Sequence, residues 1–195
     1  REHAIRDYAI DRITRLWVVL VPMLVVVLLI SISTGKVDPG VPSYAFDNAF
    51  SVVSFLGNLT GLQTIFVPEF GGNFPLWSLA NETWYYVMFP ILVLVVTAKS
   101  MTAKLLSLTA ISAIATWLNG DLLLYFAIWV MGAACSRLRI DANAKLRWLF
   151  FGGFATTSVY FRIEGRNFGL DVASFAQDCI FSAAFLLCLA TMQYK

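Results

Sequence analysis

A single glutamate, Glu82, stands at the edge of an apolar run within residues 75–90. A carboxylate in that place can accept a hydrogen bond from a substrate hydroxyl group or relay a proton. Acidic residues at membrane depth are rare and usually functional. If the segment is helical, the 3.6-residue period puts Ser78, Glu82 and Tyr85 or Tyr86 on one face. An alternative stays open, in which neighbouring Trp and Tyr rings form an aromatic belt and the glutamate merely touches water.

A second group of side chains, near the start of the chain, could hold an anion. Tyr8, Arg12 and Arg15 are spaced by four and three residues, so a helix would carry them on one face. Guanidinium forks suit phosphate oxygens. The other interpretation is a positively charged flank that only orients the next membrane helix.

The composition indicates which elements must position these groups. Hydrophobic residues make up 59% and charged residues 13% of 195 positions, and the mean hydropathy is +0.74. That is too apolar for an ordinary soluble domain, so we expect an all-α, polytopic transmembrane helical bundle in contact with membrane lipid. A basic groove with interleaved stacking aromatics is missing, which argues against a nucleic-acid partner.

The distribution of basic residues predicts the topology. Residues 49–67 are apolar on average but are interrupted by helix breakers and polar residues, so their crossing of the membrane is open. If they do not cross, 11 of the 14 Lys and Arg residues lie on one side, as the positive-inside rule requires. We therefore predict a re-entrant or interfacial segment at 49–67 and a cytoplasmic start of the chain.

This topology leaves six membrane crossings, several of them short. A run of 14 residues spans roughly 21 Å, less than the roughly 30 Å hydrocarbon core. Glu82 then falls near the outer face, and Arg12 and Arg15 near the inner face. The predicted spans are Leu16–Ile32, Trp84–Ala98, Met101–Leu118, Leu122–Cys135, Trp148–Phe161 and Val172–Met192.

Two stretches carry a resemblance to a known family. Leu76-Trp77-Ser78-Leu79-x-x-Glu82-x-x-Tyr85-Tyr86 before an apolar helix resembles the signature of acyltransferase family 3, which comprises membrane-bound, acyl-CoA-dependent O-acyltransferases of bacterial surface polysaccharides. Residues 61–66 and 71–74 resemble its exopolysaccharide-modifying branch. Tyr8-x-x-x-Arg12-x-x-Arg15-Leu16 with Pro22 is similar to the family's Arg-x-x-Arg motif. Here, however, Pro22 lies seven residues beyond the last arginine, whereas the family often has it after two.

The resemblance implies a function. An acyl group, expected to be acetyl, would pass from cytoplasmic acyl-CoA to a hydroxyl of a cell-surface or exported carbohydrate at the bacterial cytoplasmic membrane, with no bound cofactor. Glu82 would be catalytic, orienting a histidine base or binding the acceptor hydroxyl. The residues that would bind the donor are Tyr8, Arg12 and Arg15, and those that would line the acceptor pocket are Trp77, Ser78, Asn81 and Tyr85.

The same resemblance implies a helix that residues 1–195 do not contain. Family members begin with a transmembrane helix carrying an Arg and, ten residues further on, the His assigned as general base. No position here matches, because His3 sits in a charged leader. We therefore expect residues 1–195 to form part of a single acyltransferase domain that is inactive alone.

The remaining candidates for a site are few. Cys135, Cys179 and Cys188 lie in or beside apolar runs without metal-ligand spacing, so we interpret them as small apolar side chains and expect no metal site. Asp178, inside the last apolar run, is either a site residue or an acid that reaches the interface. Arg162, Glu164 and Arg166 indicate a solvated outer loop, and the glycosylation triplets at Asn58 and Asn81 arise often by chance.

Two other classes of protein fit parts of this pattern. A polysaccharide transporter or flippase subunit would also be a basic-inside bundle, with Glu82 and Asp178 relaying protons. A catalytically dead membrane scaffold is favoured only if the complete gene lacks the His-bearing helix. The Arg-x-x-Arg pair and the stretch around Glu82 distinguish the acyltransferase from the transporter.

Overall fold

The computed structural model describes residues 2–36, 48–136, 138–164 and 172–192. Within these ranges the chain is helical, with one isolated β-bridge and no β-strand, so the predicted all-α class is confirmed there. Arg166, which the sequence analysis assigns to a solvated outer loop, lies outside the described residues. The helices are α1 (Glu2–Ser33), α2 (Val52–Leu59), α3 (Leu76–Thr97), α4 (Met101–Trp117), α5 (Gly120–Cys135), α6 (Ala144–Glu164) and α7 (Val172–Met192), with a 3-10 turn at Phe70–Gly72.

The chain divides into two compact units, Arg1–Leu118 and Asn119–Lys195. In the first unit, α1 buries one narrow stripe, Leu16, Leu20 and Leu24, whose spacing of four follows the helical repeat. The opposite face stays open, with Val18 66% exposed. A long helix that is apolar all round but buries one stripe is suited to lipid on its remaining surface.

The segment between α2 and α3 packs on the second half of α1. Leu20 and Leu24 form one buried cluster with Phe70 of the 3-10 turn and Leu76, the first residue of α3. Farther toward the N-terminus of α1, the Tyr8 hydroxyl donates to the Tyr86 carbonyl at 3.2 Å. Since Leu24 lies near the start of α3 and Tyr8 near its middle, α1 and α3 run antiparallel.

A buried amide organises the segment after α2. Asn58 is fully buried; its Nδ2 donates to the carbonyls of Ser54 and Pro68 at 2.7 and 2.9 Å, and its Oδ1 accepts from the Phe70 amide at 3.0 Å. Buried backbone groups need such partners because an unpaired one is costly. The polar residue that interrupts the apolar run is therefore structural, and its burial is incompatible with glycosylation.

Two further contacts fix this segment against α3. The Trp84 indole donates to the Gly61 carbonyl at 2.9 Å, and Gln63 Nε2 donates to the Leu76 carbonyl at 2.9 Å. Gly61 has a φ of 77°, and a Cβ there would lie 2.8 Å from Thr83 Cβ. Only glycine accommodates both the backbone angle and the close approach.

The second unit is an up-down-up arrangement of three helices. Phe154 of α6 contacts Phe181 and Phe185 of α7, with ring centroids 5.4 and 5.3 Å apart. The Ile140 amide, just after α5, donates to the Ala190 carbonyl near the end of α7 at 3.2 Å, so α5 and α7 run parallel. All three cysteines are free thiols, and only Cys188 is fully buried.

Three of the helices are long and apolar enough to cross a membrane, namely Ile5–Ser33 of α1, Leu76–Thr97 (α3) and Ser174–Met192 of α7. Helices α4 and α5 are apolar but shorter, with 17 and 16 residues. Helix α6 has 21 residues but includes Lys145, Arg147 and Arg162, which make it less apolar than these three. These features are consistent with a membrane protein.

Residues 49–67 form no membrane-length helix. Helix α2 has eight residues, which corresponds to about 12 Å at 1.5 Å per residue. Turns and a single bridge between Gln63 and Val67 follow it. This agrees with the expectation that the segment does not cross a bilayer.

Replacing the central amide of this segment is predicted to destabilise the fold. Asn58→Leu leaves the Pro68 carbonyl and the Phe70 amide buried without their described partner, and we expect a loss of about 3 kcal/mol. Unfolding in detergent, followed by circular dichroism, measures it. Thr60→Ala removes an exposed hydroxyl that bonds its own helix and should change stability by less than about 0.5 kcal/mol; equal effects of the two variants would contradict the role of Asn58.

Candidate functional site

Helices α1 and α3 meet around the guanidinium of Arg12. Its Cζ lies 5.2 Å from the ring centroid of Tyr8, one turn earlier on α1, and 5.0 Å from that of Tyr86 on α3. A guanidinium between two aromatic rings gains from the negative faces of both, by about 0.5 to 2 kcal/mol per ring depending on desolvation. The two tyrosines thus hold one cation between them.

Glu82 joins this group through the same tyrosine. The Tyr86 hydroxyl donates a short hydrogen bond to Glu82 Oε1. The two residues are one helical turn apart on α3, so the helix itself brings them together. The carboxylate and the Arg12 guanidinium are therefore separated by one tyrosine side chain.

The expectation that Glu82 and the arginine pair lie at opposite membrane faces is wrong for Arg12. That expectation assumed that the apolar spans of α1 and α3 lie side by side over their full length. Instead, the buried segment around Phe70 occupies the flank of α1 near Leu24, and α3 begins at that level. Residues 82–86 of α3 consequently reach the level of Arg12.

Arg12 and Arg15 line one groove, and their role in binding a donor stays a prediction. The groove has a volume of about 610 Å³, and its lining comprises Asp11, Arg12, Thr14, Arg15 and Val18. Its charged groups are two guanidinium groups and one carboxylate. Arg12 Nε is buried and has no hydrogen-bond partner within the described ranges.

The four residues expected to line an acceptor pocket differ in their exposure to solvent. Ser78 is exposed and donates to the Pro75 carbonyl at 2.9 Å, and Trp77 is half-buried. Asn81 and Tyr85 are only 9% and 5% exposed. They do not form one open surface, and their role in acceptor binding stays a prediction.

Sequence reasoning did not assign Tyr86 to the site. Its position four residues after Glu82 was a signal, since helical spacing allowed Tyr85 or Tyr86 to share the glutamate's face. The contact of Tyr86 with Arg12 depends on the register of α1 and α3, for which the sequence holds no direct signal. Tyr86 contacts or bonds with Tyr8, Arg12 and Glu82.

Asp178 has a hydrogen-bond partner on a neighbouring helix. Tyr125 of α5 donates to its Oδ2 at 2.6 Å. Because α5 and α7 belong to the same compact unit, this bond ties them together and accounts for an acid inside an apolar helix. The bond gives Asp178 a structural role in joining the two helices.

Comparison with known proteins does not assign the chain to a family. No protein-family model, no curated protein and no solved structure matches the chain. The resemblance to acyltransferase family 3 therefore rests on the residues quoted above, around Glu82 and around Arg12.

Proposed function

We propose that the chain belongs to a membrane O-acyltransferase that transfers an acyl group, expected to be acetyl, from acyl-CoA to a hydroxyl of a cell-surface or exported carbohydrate. The observation that carries the proposal is the link between a cation and a carboxylate, in which Tyr86 contacts Arg12 and hydrogen-bonds Glu82. Acyl transfer requires an anionic donor and a hydroxyl acceptor to be bound in one site, and this pair supplies one charged group for each.

The groove beside Arg12 suits the nucleotide part of the donor. Coenzyme A carries several phosphate groups, and guanidinium groups bind phosphate through paired, charge-assisted hydrogen bonds. Arg15 is exposed in the same groove, while Arg12 is held in place by its two tyrosines. A held guanidinium loses less freedom on binding than a mobile one, so it favours affinity.

Glu82 suits the acceptor. Its carboxylate has two oxygens, of which Oε1 accepts from Tyr86, and the other can accept a hydrogen bond from a sugar hydroxyl. The hydroxyl oxygen attacks the thioester carbon, the carbon–sulfur bond breaks, and the thiolate leaves. A base takes the hydroxyl proton and passes it to the sulfur; the resemblance assigns this base to a histidine outside residues 1–195.

The proposal includes a membrane arrangement. Six of the helices, α1 and α3 to α7, would cross the bacterial cytoplasmic membrane, with the start of the chain in the cytoplasm where acyl-CoA is found. The excess of basic residues on one side supports that orientation. Because Glu82 and Arg12 lie one side chain apart, the acceptor hydroxyl would have to reach the depth of the donor phosphates or of the arm attached to them.

Glu82→Gln is predicted to abolish acyl transfer in cells whose only copy of the complete gene carries it. Glutamine keeps the shape of the side chain but replaces a charged acceptor by a weak one. Mass spectrometry of the surface glycan measures acylation, and the amount of exported glycan is measured in parallel. Acylation should be lost while export continues.

Glu69→Gln is the matched control. It makes the same chemical change in the same unit, at the residue before the 3-10 turn, and should leave acylation intact. Unchanged acylation in the Glu82 variant would refute the proposal, and a loss of export in that variant would favour the transporter.

Replacing Arg12 and Arg15 together by Ala is predicted to raise the KM for acyl-CoA by about tenfold or more, because charge-assisted bonds to phosphate contribute more than about 1.4 kcal/mol. Steady-state kinetics on the complete protein in nanodiscs measures it. Arg6→Ala is the control, since Arg6 is exposed and pairs with Asp7 at 3.6 Å. A donor KM that responds equally to both changes, or to neither, would contradict the donor site.

A further inference from the structure

The side chain of Tyr86 contacts both charged groups of the site, Arg12 and Glu82. Its ring lies 5.0 Å from Arg12 Cζ, and its hydroxyl donates to Glu82 Oε1. It is 9% exposed, so its orientation is fixed by packing. The two contacts use different parts of the side chain, the aromatic face and the hydroxyl group.

We propose that Tyr86 is a positioning residue with two separable actions: its ring fixes Arg12 for the phosphate of the donor, and its hydroxyl fixes Glu82 for the hydroxyl of the acceptor. This inference rests on the proposed function and deepens it. Tyr86 itself touches neither reacting atom. It acts by holding the two residues that do the binding.

The ring action follows from the two-helix arrangement. Arg12 has one aromatic wall from its own helix, Tyr8, and a second from α3, Tyr86. The first wall belongs to α1 and is linked to α3 through the hydrogen bond from the Tyr8 hydroxyl to the Tyr86 carbonyl. The Tyr86 ring places the guanidinium directly against the helix that carries Glu82.

The Tyr86 hydroxyl can orient Glu82 because a carboxylate has two oxygens that accept hydrogen bonds. Glu82 can rotate about three side-chain bonds, and a hydrogen bond to one oxygen restricts where the other points. Correct positioning of a carboxylate that binds the substrate hydroxyl commonly raises the reaction rate by one or more orders of magnitude. Phenylalanine would keep the ring and lose this restraint, and therefore separates the two actions.

The backbone of Tyr86 adds a third tie that side-chain variants leave in place. Its carbonyl accepts from the Tyr8 hydroxyl at 3.2 Å. Substitution of Tyr86 therefore keeps this bond between α1 and α3. The cluster of Leu20, Leu24, Phe70 and Leu76 also stays intact, so a variant at Tyr86 is expected to keep the helix register.

The test compares Tyr86→Phe with Tyr86→Leu in the complete protein, purified in nanodiscs. Coenzyme A binding by calorimetry reports the donor side, and the kcat and KM for the carbohydrate acceptor report the other side. Y86F should lower kcat/KM for the acceptor by about tenfold or more and leave the Kd of coenzyme A within about threefold of wild type. Y86L should show the same acceptor loss and weaken coenzyme A by about fivefold or more.

Two controls keep the result interpretable. Tyr160→Phe makes the same change at a residue of α6 that is 55% exposed and should change neither parameter. Tyr86→Met supplies a second variant without a ring should the leucine protein fail to accumulate. Correct folding is checked by size-exclusion chromatography and by the unfolding temperature.

The outcomes separate this inference from the proposed function. A wild-type protein that neither binds coenzyme A nor transfers an acyl group would refute the proposed function and, with it, this role of Tyr86. With an active wild type, a Y86F variant that loses donor binding as strongly as acceptor turnover would overturn the separable actions alone. A Y86F variant that keeps both donor binding and acceptor turnover would also overturn the separable actions. So would a variant without the ring that binds coenzyme A as tightly as the wild type.

Discussion

The contact of Arg12 with two tyrosines, one from each of two helices, is the interaction on which the candidate site depends. It brings a permanent cation into a half-buried place between α1 and α3, where hydrocarbon alone would exclude it. The aromatic faces offset part of the desolvation cost without neutralising the charge. The charge therefore remains able to bind an anion, and the tyrosine that holds it also hydrogen-bonds the nearby carboxylate.

The short segment after α2 sets the register that makes this contact possible. Asn58 supplies hydrogen bonds to its buried backbone groups, and Phe70 fills the space beside Leu24. Because that flank of α1 is already occupied, α3 starts level with Leu24 and presents its second and third turns to Arg12. Polar and glycine residues that interrupt the apolar run at 49–67 therefore position the site.

Much of the fold could be predicted from the sequence, and much less of the site. Apolar runs predicted the helices, and the helix breakers at 57–63 predicted that this stretch would not form a span. The arginines of the groove were predicted from their spacing on one helix, because helical geometry is local. The contact of Tyr86 with Arg12 was missed, because it depends on how far one helix slides along another, and the packing of Phe70 and Leu76 that sets this distance has no periodic signal.

The register between α1 and α3 decides whether Arg12 can contact Tyr86, and cysteine cross-linking in native membranes measures it. In a protein whose Cys135, Cys179 and Cys188 are replaced by Ala, Arg12→Cys is combined with either Tyr86→Cys or Thr97→Cys and treated with a short thiol cross-linker. The leucine and phenylalanine cluster that sets the register is untouched by these changes. The account predicts rapid cross-linking between positions 12 and 86 and none between 12 and 97, whereas cross-linking of 12 with 97 in place of 86 would contradict it.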